Sequence, residues 1–169
     1  QNRLANATGA QAITSPTWPA RDRDGTTNGE GVFLALELST ASSAGTPTCA
    51  VTYTNSAGTG SRTANLIDAF SATTAVNSFL RYDLQAGDTG IRSIQSANLS
   101  ATLTGGVCNL VAYRVIASLE LTSAYIPNAV DVLTSGMPRI YDGSAPFLVF
   151  VPTSTGATAV SGTYIETQG

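Results

Sequence analysis

The sequence predicts an all-β fold: an antiparallel β-sandwich, jelly-roll-like, that follows an extended N-terminal arm. Three observations support this prediction. From Gly31 onward, runs rich in Thr, Val and aromatic residues recur along the chain. Turns that contain Gly or Pro separate these runs, and signals for helices are sparse. Many short strands with such turns are typical of sandwiches and barrels, and 169 residues suit a single domain.

The arm is predicted at residues 1–31, which have few clustered apolar residues, two prolines and an end rich in Gly, Asp and Asn. The β-sandwich domain then occupies residues 32–169. Trp18 lies between the two prolines, in a setting that favours the polyproline II conformation. Because Trp is enriched in protein interfaces, Trp18 is a candidate anchor on another surface. The alternative is that Trp18 packs against its own domain.

About eight runs of the domain carry the strand pattern. The turn SAGTGS follows the second run and predicts a hairpin. Two segments, LIDAFSATTAV and SAYIPNAVDVLTSG, carry weaker signals for a short helix; in the second, Pro127 suits a first helical turn and Gly136 suits a helix end. In chain order the strand-like runs are VFLALELST, TCAVTYTN, RTANLIDAF, NSFLRYDL, IRSIQSANLSATL, VCNLVAYRVIASLEL, APFLVFVPT and ATAVSGTYIET.

The charge composition excludes several classes of function. Charged residues make up 11% of the chain, all eight basic residues are Arg, and His and Lys do not occur. Mechanisms that need His, imidazole metal ligands and Lys Schiff bases are therefore excluded. A net charge of −3 without a basic cluster argues against nucleic-acid binding. The longest apolar runs are far shorter than the roughly 20 residues that span a bilayer, so we predict no membrane partner.

The tripeptide Asp88-Thr89-Gly90 is the one that carries the catalytic carboxylate of aspartic proteases. Such enzymes place the Asp after an apolar strand and bring two carboxylates together to share a proton. Here QAG precedes Asp88 and no second copy occurs. The same residue types form good turns. We predict a turn, no catalytic residue and no enzyme; a hydrolase that uses Asp88 is the alternative.

The stretch RDRDGTTNGE, residues 21–30, collects Asp22, Asp24, Asn28 and Glu30 in a loop that contains glycine. Oxygen ligands of this kind bind Ca²⁺, but the spacing of an EF-hand loop is missing. We therefore predict a solvated loop and no metal or cofactor, with a calcium loop as the alternative.

The two cysteines, Cys49 and Cys108, each lie in an apolar, strand-like run. Burial as free thiols and a disulfide across the sandwich both fit this placement. The chain also begins at Gln1 without Met, so removal of a preceding segment stays open.

Four segments resemble parts of small structural proteins encoded among the virion genes of tailed bacteriophages: YTNSAGTGSRTANL, LQAGDTGIRSIQSANLS, LVAYRVIASLEL and LTSGMPRIYDGSAPFLVFVPTSTGATAVSGTYIETQG. The resemblance spans residues 30–169. It implies a non-enzymatic protein of the virion surface, in the first place a capsid decoration (cement) protein. Such a protein would bind the major capsid protein or other virion proteins as a homo-oligomer, with a trimer favoured. A neck, tail or fibre component is the alternative within the virion.

Two sets of side chains are candidates for contacts with partners. In a chain this poor in charge, guanidinium groups beside strands can bridge to carboxylates or carbonyls of a neighbour, with pairing inside the chain as the alternative. The interface candidates are Trp18, Arg21, Arg23, Arg92 and Arg139.

A carbohydrate-binding β-sandwich is a second class of function, because aromatic side chains form platforms for sugars. Its candidates are Tyr113, Tyr125, Tyr141 and Tyr164.

Overall fold

The computed structural model describes residues 8–121, 126–152, 159–163 and 165, and the backbone of residues 2–4. It confirms the all-β prediction, because its strands form antiparallel ladders and the described residues contain a single helix of four residues. The helix, α1, is Val132–Ser135. The strands are β1 Asn2–Leu4, β2 Gly9–Ala12, β3 Val32–Ala44, β4 Cys49–Asn55, β5 Arg62–Leu66, β6 Phe79–Asp83, β7 Ile91–Leu99 and β8 Thr104–Arg114.

The ladders are nested about the middle of the chain. β4 pairs with β5, β3 with β6, β2 with β7, and β1 with β8. The ladders β3–β8, β4–β7 and β5–β6 join these pairs into one curled sheet, in the order β1-β8-β3-β6-β5-β4-β7-β2. Folding one long hairpin over onto itself produces this order. We call the strands β1, β8, β3 and β6 the β3 half, and the strands β5, β4, β7 and β2 the β4 half.

One hydrophobic core collects side chains from both halves. Leu34, Leu36 and Leu38 of β3 are fully buried, and so are Val51 and Tyr53 of β4. The alternation along β4 follows from strand geometry, because successive side chains point to opposite faces of a sheet. Complete burial of one Leu side chain contributes roughly 2 kcal/mol to the free energy of unfolding.

β7 departs from simple alternation, since its buried side chains are Ile91, Ile94, Ala97 and Leu99. Two register shifts against β4 explain the spacing of three. Tyr53 pairs with Ile94 while Thr52 pairs with Ser96, so one residue of β7 between them has no opposite partner. Such bulges add a residue to one strand, and they keep Ile91 and Ile94 facing the core.

The described residues of the predicted arm lie in or against the sheet. β2 forms a ladder with β7, and beyond it the N–H of Ile13 donates to the carbonyl of Gln95 at 2.9 Å. The backbone of β1 pairs with β8 in the same way. An edge strand of small residues needs few apolar side chains, so its sequence has the same composition as an extended arm. Composition alone therefore did not distinguish the two.

The described residues of the C-terminal third contain fewer strands than the sequence predicts. β8 ends at Arg114, so the second part of the run VCNLVAYRVIASLEL is not a strand. The predictions for APFLVFVPT and for the described part of ATAVSGTYIET are also wrong, because residues 145–152, 159–163 and 165 form no ladder. A strand pattern supplies side chains of the right kind, but a ladder also needs a free neighbouring edge.

The helix signals have different outcomes. Gly136 ends α1 in the left-handed conformation at φ 61°, which confirms its predicted role. The helix begins after Asp131, whose carboxylate accepts from the N–H of Thr134 at 2.8 Å, rather than at Pro127. The segment LIDAFSATTAV forms no helix. No helix among the described residues is long and apolar enough to span a membrane.

Candidate functional site

The Asp88 carboxylate lies at the centre of a polar cluster. The Tyr53 hydroxyl donates to Oδ2 at 2.5 Å, and the Asn55 amide Nδ2 donates to Oδ1 at 2.7 Å. Arg62 binds both oxygens, with Nε 2.9 Å from Oδ2 and Nη2 3.0 Å from Oδ1. This planar, two-point contact is the strongest geometry available to an Arg–carboxylate pair. We call Tyr53, Asn55, Arg62 and Asp88 the Asp88 cluster.

The Asp88 cluster holds its carboxylate in the ionised form. The side chain of Asp88 is only 3% exposed, and that of Arg62 is 23% exposed. Hydrogen bonds from Arg62 lower the pKa of Asp88 from 3.8 to about 2, against the opposing effect of burial. Burial and the neighbouring carboxylate raise the pKa of Tyr53 to about 12. A carboxylate bound by four donors has no oxygen left for a proton shared with a second acid, as the mechanism of an aspartic protease requires.

A turn does occur at this place, but it lies earlier than the sequence predicts. The N–H of Asp88 donates to the carbonyl of Gln85 at 3.0 Å, and Gly87 has φ 87°. The reversal therefore spans residues 85–88. Asp88 closes it, and the following residues Thr89 and Gly90 lead into β7.

Thr89 and Gly90 connect this turn to two other segments. The Thr89 hydroxyl donates to Glu30 at 2.7 Å, and the N–H of Ser56 donates to the carbonyl of Gly90 at 2.9 Å. The backbones also approach closely here, because a Cβ on Gly90 would lie 2.1 Å from the carbonyl oxygen of Gly29. The tripeptide thus joins the β4–β5 hairpin to the loop before β3.

The loop of residues 21–30 is built around Asp22, which is 1% exposed. Its carboxylate accepts from the Thr26 hydroxyl at 2.6 Å and from backbone N–H groups, among them that of Gly29 at 3.0 Å. Burial opposes ionisation, but the hydrogen bonds from Thr26, Glu30 and Gly29 outweigh it and lower the pKa of Asp22. The loop therefore satisfies this acid internally. The described residues contain no group of three or more acids, His or Cys arranged to hold a metal ion.

Two of the interface candidates contact their own domain. Trp18 is partly buried against the core, and its indole Nε1 donates to the carbonyl of Ile91 at 2.8 Å. Arg23 forms ion pairs with Asp24 at 3.1 Å and with Glu30 at 3.2 Å. These contacts match the alternatives of packing and pairing inside the chain.

The remaining three candidates differ from one another. Arg21 donates to the carbonyl of Gly143 at 2.6 Å. The guanidinium of Arg139 lies 5.4 Å from the ring centre of Tyr141, and Arg114 lies at the same distance from that ring. Arg92 is exposed at a bulge of β7 and forms no ion pair with any residue that the structure describes.

The described chain that follows β8, residues 115–121 and 126–152, is the most apolar exposed part of the structure. We call it the C-terminal segment. Leu133 is 96% exposed and Leu148 is 83% exposed. Within residues 147–151, FLVFV, every side chain is at least 37% exposed. Five consecutive large apolar residues are thus exposed together, which is unusual on the surface of a folded domain.

An aromatic patch lies beside the start of this stretch. Tyr113 packs against Phe33 at 6.2 Å and against Phe79 at 5.2 Å between ring centres, and Phe79 contacts Phe147 at 5.7 Å. Arg81, which pairs with Asp68 at 2.9 Å, borders the patch in an open cleft. We call Phe33, Phe79 and Tyr113 the aromatic patch. Tyr125 and Tyr164, two other carbohydrate candidates, lie outside the described residues.

Cys49 and Cys108 are both buried as free thiols. Burial raises the pKa of Cys49, and it raises the pKa of Cys108 to about 11. The hydroxyl of Tyr82 is buried beside them, next to the thiol of Cys49. The structure therefore shows the thiol alternative rather than the disulfide.

Sequence reasoning missed most of the Asp88 cluster. It found Asp88 through a short motif, but Tyr53, Asn55 and Arg62 lie 26 to 35 residues away in sequence. The hairpin prediction offered one signal, because it placed Arg62 at the start of the strand that returns beside TCAVTYTN; the structure pairs Arg62 with Tyr53.

The comparisons with known proteins gave no relative: no protein-family profile, curated protein or solved structure matches this chain.

Proposed function

We propose that the chain is a non-enzymatic structural protein of a virion, a capsid decoration protein that binds the outer shell as an oligomer. The observation that carries the proposal is the exposed FLVFV stretch beside a domain that has a buried core of its own. A domain that buries its own core does not need these side chains for folding. They are available for contacts with other copies and with the shell, and a permanent assembly would keep them out of water.

The order of the strands supports the proposal at the level of fold. Nested pairing of the first strand with the last, and so on inward, is the order expected of a jelly roll. The β3 half and the β4 half would be its two sheets, and the β5–β6 ladder joins them along one side. Jelly rolls occur in viral capsid domains and in lectins, so the fold agrees with a virion role without specifying it.

The polar clusters support a structural role in a different way. The carboxylates of Asp88 and Asp22 have the most extensive hydrogen bonding among the acids that the structure describes. All of these hydrogen bonds come from groups of the chain itself. Both fix loops at one end of the sheet. Rigid loops lower the entropy lost when a surface binds its partner.

Because of the contacts of Trp18, the part of the chain that would reach the partner is the C-terminal segment rather than the predicted N-terminal arm. Trp18 is held by Ile91 of its own domain, so it does not serve as the free anchor. The C-terminal segment takes that role in the proposal, and the bulged, exposed Arg92 remains a candidate for a polar contact with the shell. Arg21 and Arg114 hold the C-terminal segment at Gly143 and Tyr141, and Arg139 lies in that segment, against the ring of Tyr141.

The partner in the proposal is the major capsid protein, with other virion proteins as the alternative. Density-gradient fractionation of particles followed by quantitative mass spectrometry tests it. We expect the chain to sediment with particles at a fixed ratio to the major capsid protein. A fixed ratio to a neck or tail protein instead would indicate that the chain is a component of the neck or the tail. Recovery only in particle-free fractions would contradict both.

A carbohydrate-binding role is the second candidate, because the aromatic patch lies beside the Arg81–Asp68 pair. An aromatic platform next to charged hydrogen-bonding groups suits a sugar ring. A glycan array tests this candidate, with Tyr113→Ala as the variant and Phe150→Ala, at an exposed aromatic residue outside the aromatic patch, as the control. Binding that Tyr113→Ala abolishes and Phe150→Ala leaves intact would support it, whereas an array without hits would count against it.

A further inference from the structure

Three arginine side chains gather around residues 141–143 of the C-terminal segment. The guanidinium groups of Arg114, at the end of β8, and of Arg139 each lie 5.4 Å from the centre of the Tyr141 ring. Nη2 of Arg114 also donates to the backbone carbonyl of Arg139 at 2.5 Å. Arg21, from the chain between β2 and β3, donates to the carbonyl of Gly143 at 2.6 Å. We call Arg21, Arg114, Arg139 and Tyr141 the Tyr141 cluster.

The Tyr141 cluster contains three positive charges and no carboxylate. Its guanidinium groups contact carbonyl oxygens and one ring, none of which carries a net charge. Asp142, in the same stretch, is exposed and forms no ion pair with any residue that the structure describes. Nη1 of Arg114 is buried and has no acceptor among the described residues. Because like charges repel and a buried charge without a counter-ion is costly, a negatively charged group placed here would be bound favourably.

Most described acids of this chain bind other groups. Asp22 and Asp88 are bound within their own loops, and Arg23 pairs with Asp24 and Glu30. The other described acids with a partner of their own are Glu37, Asp68 and Asp131. No acid that the structure describes forms an ion pair with the Tyr141 cluster, so the described part of the chain does not supply its counter-charge.

The side chains of the cluster suit a carboxylate. A guanidinium group presents a planar fork of N–H donors that matches the two oxygens of a carboxylate, and such charged pairs are stronger than neutral hydrogen bonds. Arg139 is exposed, so its fork is accessible. The ring of Tyr141 already positions this guanidinium group, which lowers the entropy lost when a partner binds.

The surroundings of the cluster suit a carboxylate that belongs to a protein. The exposed FLVFV stretch begins four residues after Gly143, so charged and apolar contact groups are close neighbours in the chain. Protein interfaces combine an apolar centre with a polar rim, and Arg and Tyr are among the residues that contribute most to their affinity. A free anion would gain nothing from the apolar part. Nucleic acids need a more extensive basic surface than three arginines on a chain of net charge −3.

We infer that the Tyr141 cluster binds Asp or Glu side chains of the shell protein on which the chain assembles. Arg139 provides the accessible fork, while Arg21 and Arg114 add positive charge and hold the segment in place. The inference rests on the proposed function and names the chemistry of the partner's surface, an acidic patch beside an apolar one.

Binding of the purified chain to particles that lack it tests the inference, with Arg139→Gln as the variant. The substitution removes the charge but keeps the backbone carbonyl that accepts from Arg114. We expect about tenfold weaker binding and a weaker dependence on salt than the parent shows, because salt screens charge pairs. Arg23→Gln removes the same charge from an arginine paired within its own loop, so this matched control should bind as the parent does. Affinity and salt dependence of Arg139→Gln equal to those of the parent would overturn the inference.

Neutralisation of the particles tests the carboxylates directly. A carbodiimide with glycinamide converts exposed carboxylates of the particles into amides. We expect the parent to bind treated particles more weakly, and Arg139→Gln to lose much less affinity on treatment than the parent does, because one substitution already removes the pair. Inorganic phosphate at constant ionic strength should not compete. Equal losses for parent and variant, or competition by phosphate, would overturn the assignment to carboxylates.

Two controls identify other sources of the acid. Glu166 lies outside the described residues, so its substitution is compared with that of Arg139. We expect the midpoints of thermal unfolding of Arg139→Gln and Glu166→Gln to stay within about 2 °C of the parent. A larger decrease, equal in both, would assign the cluster to Glu166, and self-association that Arg139→Gln abolishes would assign it to a second copy; either result overturns the inference. A parent that does not bind particles refutes the proposed function, whereas a parent that binds independently of Arg139 refutes this inference alone.

Discussion

Arg62 and Asp88 form a two-point ion pair that joins the β4–β5 hairpin to the turn before β7, with Nε–Oδ2 and Nη2–Oδ1 distances of 2.9 and 3.0 Å. Tyr53 and Asn55, on the strand beside Arg62, complete the coordination of the carboxylate. The pair lies where a protease motif would place its catalytic acid. Its geometry is that of a structural ion pair that holds two loops together, and this structural role predicts how variants behave.

Replacement of Asp88 by Asn should destabilise the protein without changing its fold. Asn keeps the shape but removes the charge, so Arg62 loses its ionic partner; we expect a loss of about 2 kcal/mol in the free energy of unfolding. Urea denaturation followed by circular dichroism measures it. Asp142→Asn, at an exposed acid, is the control and should change stability by less than about 0.5 kcal/mol. Equal free energies of unfolding in the two variants would show that the ion pair does not stabilise the loops.

The low pKa of Asp88 predicts a loss of stability in acid. Its pKa is about 2 in the folded protein against 3.8 for the free group, so the unfolded chain binds more protons between these values. The stability that Asp88 contributes is therefore complete above about pH 4 and disappears as the pH falls toward 2. Unfolding free energies of the parent and of Asp88→Asn, measured across this range, should converge as the pH decreases. A constant difference would contradict the assignment.

The contacts of Trp18 predict that it stabilises its own domain. Trp18→Ala should cost about 2 kcal/mol, less than a fully buried Trp, and Trp18→Phe about 1 kcal/mol through the lost hydrogen bond to Ile91. Because Trp18 is the one Trp of the chain, its fluorescence reports this site alone. We expect the emission to shift to the red on unfolding and to stay unchanged on particle binding. Full stability of Trp18→Ala would return the residue to the role of an external anchor.

The buried thiols predict slow chemical modification. Cys49 and Cys108 should not react with iodoacetamide in the native protein over minutes, because burial both shields them and raises their pKa values. In denaturant without reductant, mass spectrometry should find both alkylated. Two unmodified cysteines under those conditions would show a disulfide instead.

The sequence predicted the strands that have local signals and missed the features that depend on distant partners. β4 was recognisable from the β-branched and aromatic residues of TCAVTYTN. β7 was predicted as a strand, but its spacing of three between Ile91, Ile94 and Ala97 follows from bulges against β4, which no local pattern encodes. The arm and the edge strand β2 share one composition, and only pairing with β7 distinguishes them.

At residues 147–151 the sequence pattern predicts a strand that the structure does not contain. The FLVFV pattern is as strand-like as any in the chain, yet no ladder forms among the described residues. Propensity describes side chains that suit a pleated surface, and it does not supply a neighbouring edge. The Asp88 cluster was equally hidden, because its members come from three separate segments.

Rebinding to particles assembled without this chain tests the central claim most directly. Purified protein is added at increasing concentration, particles are sedimented, and the bound amount is measured against the major capsid protein. We predict saturable binding with a plateau at a fixed ratio, reduced in Leu148→Asp and unchanged in Val76→Asp, at an exposed apolar residue outside the C-terminal segment. Folded protein that fails to bind such particles at any concentration, or that binds without saturation, would contradict a decoration role.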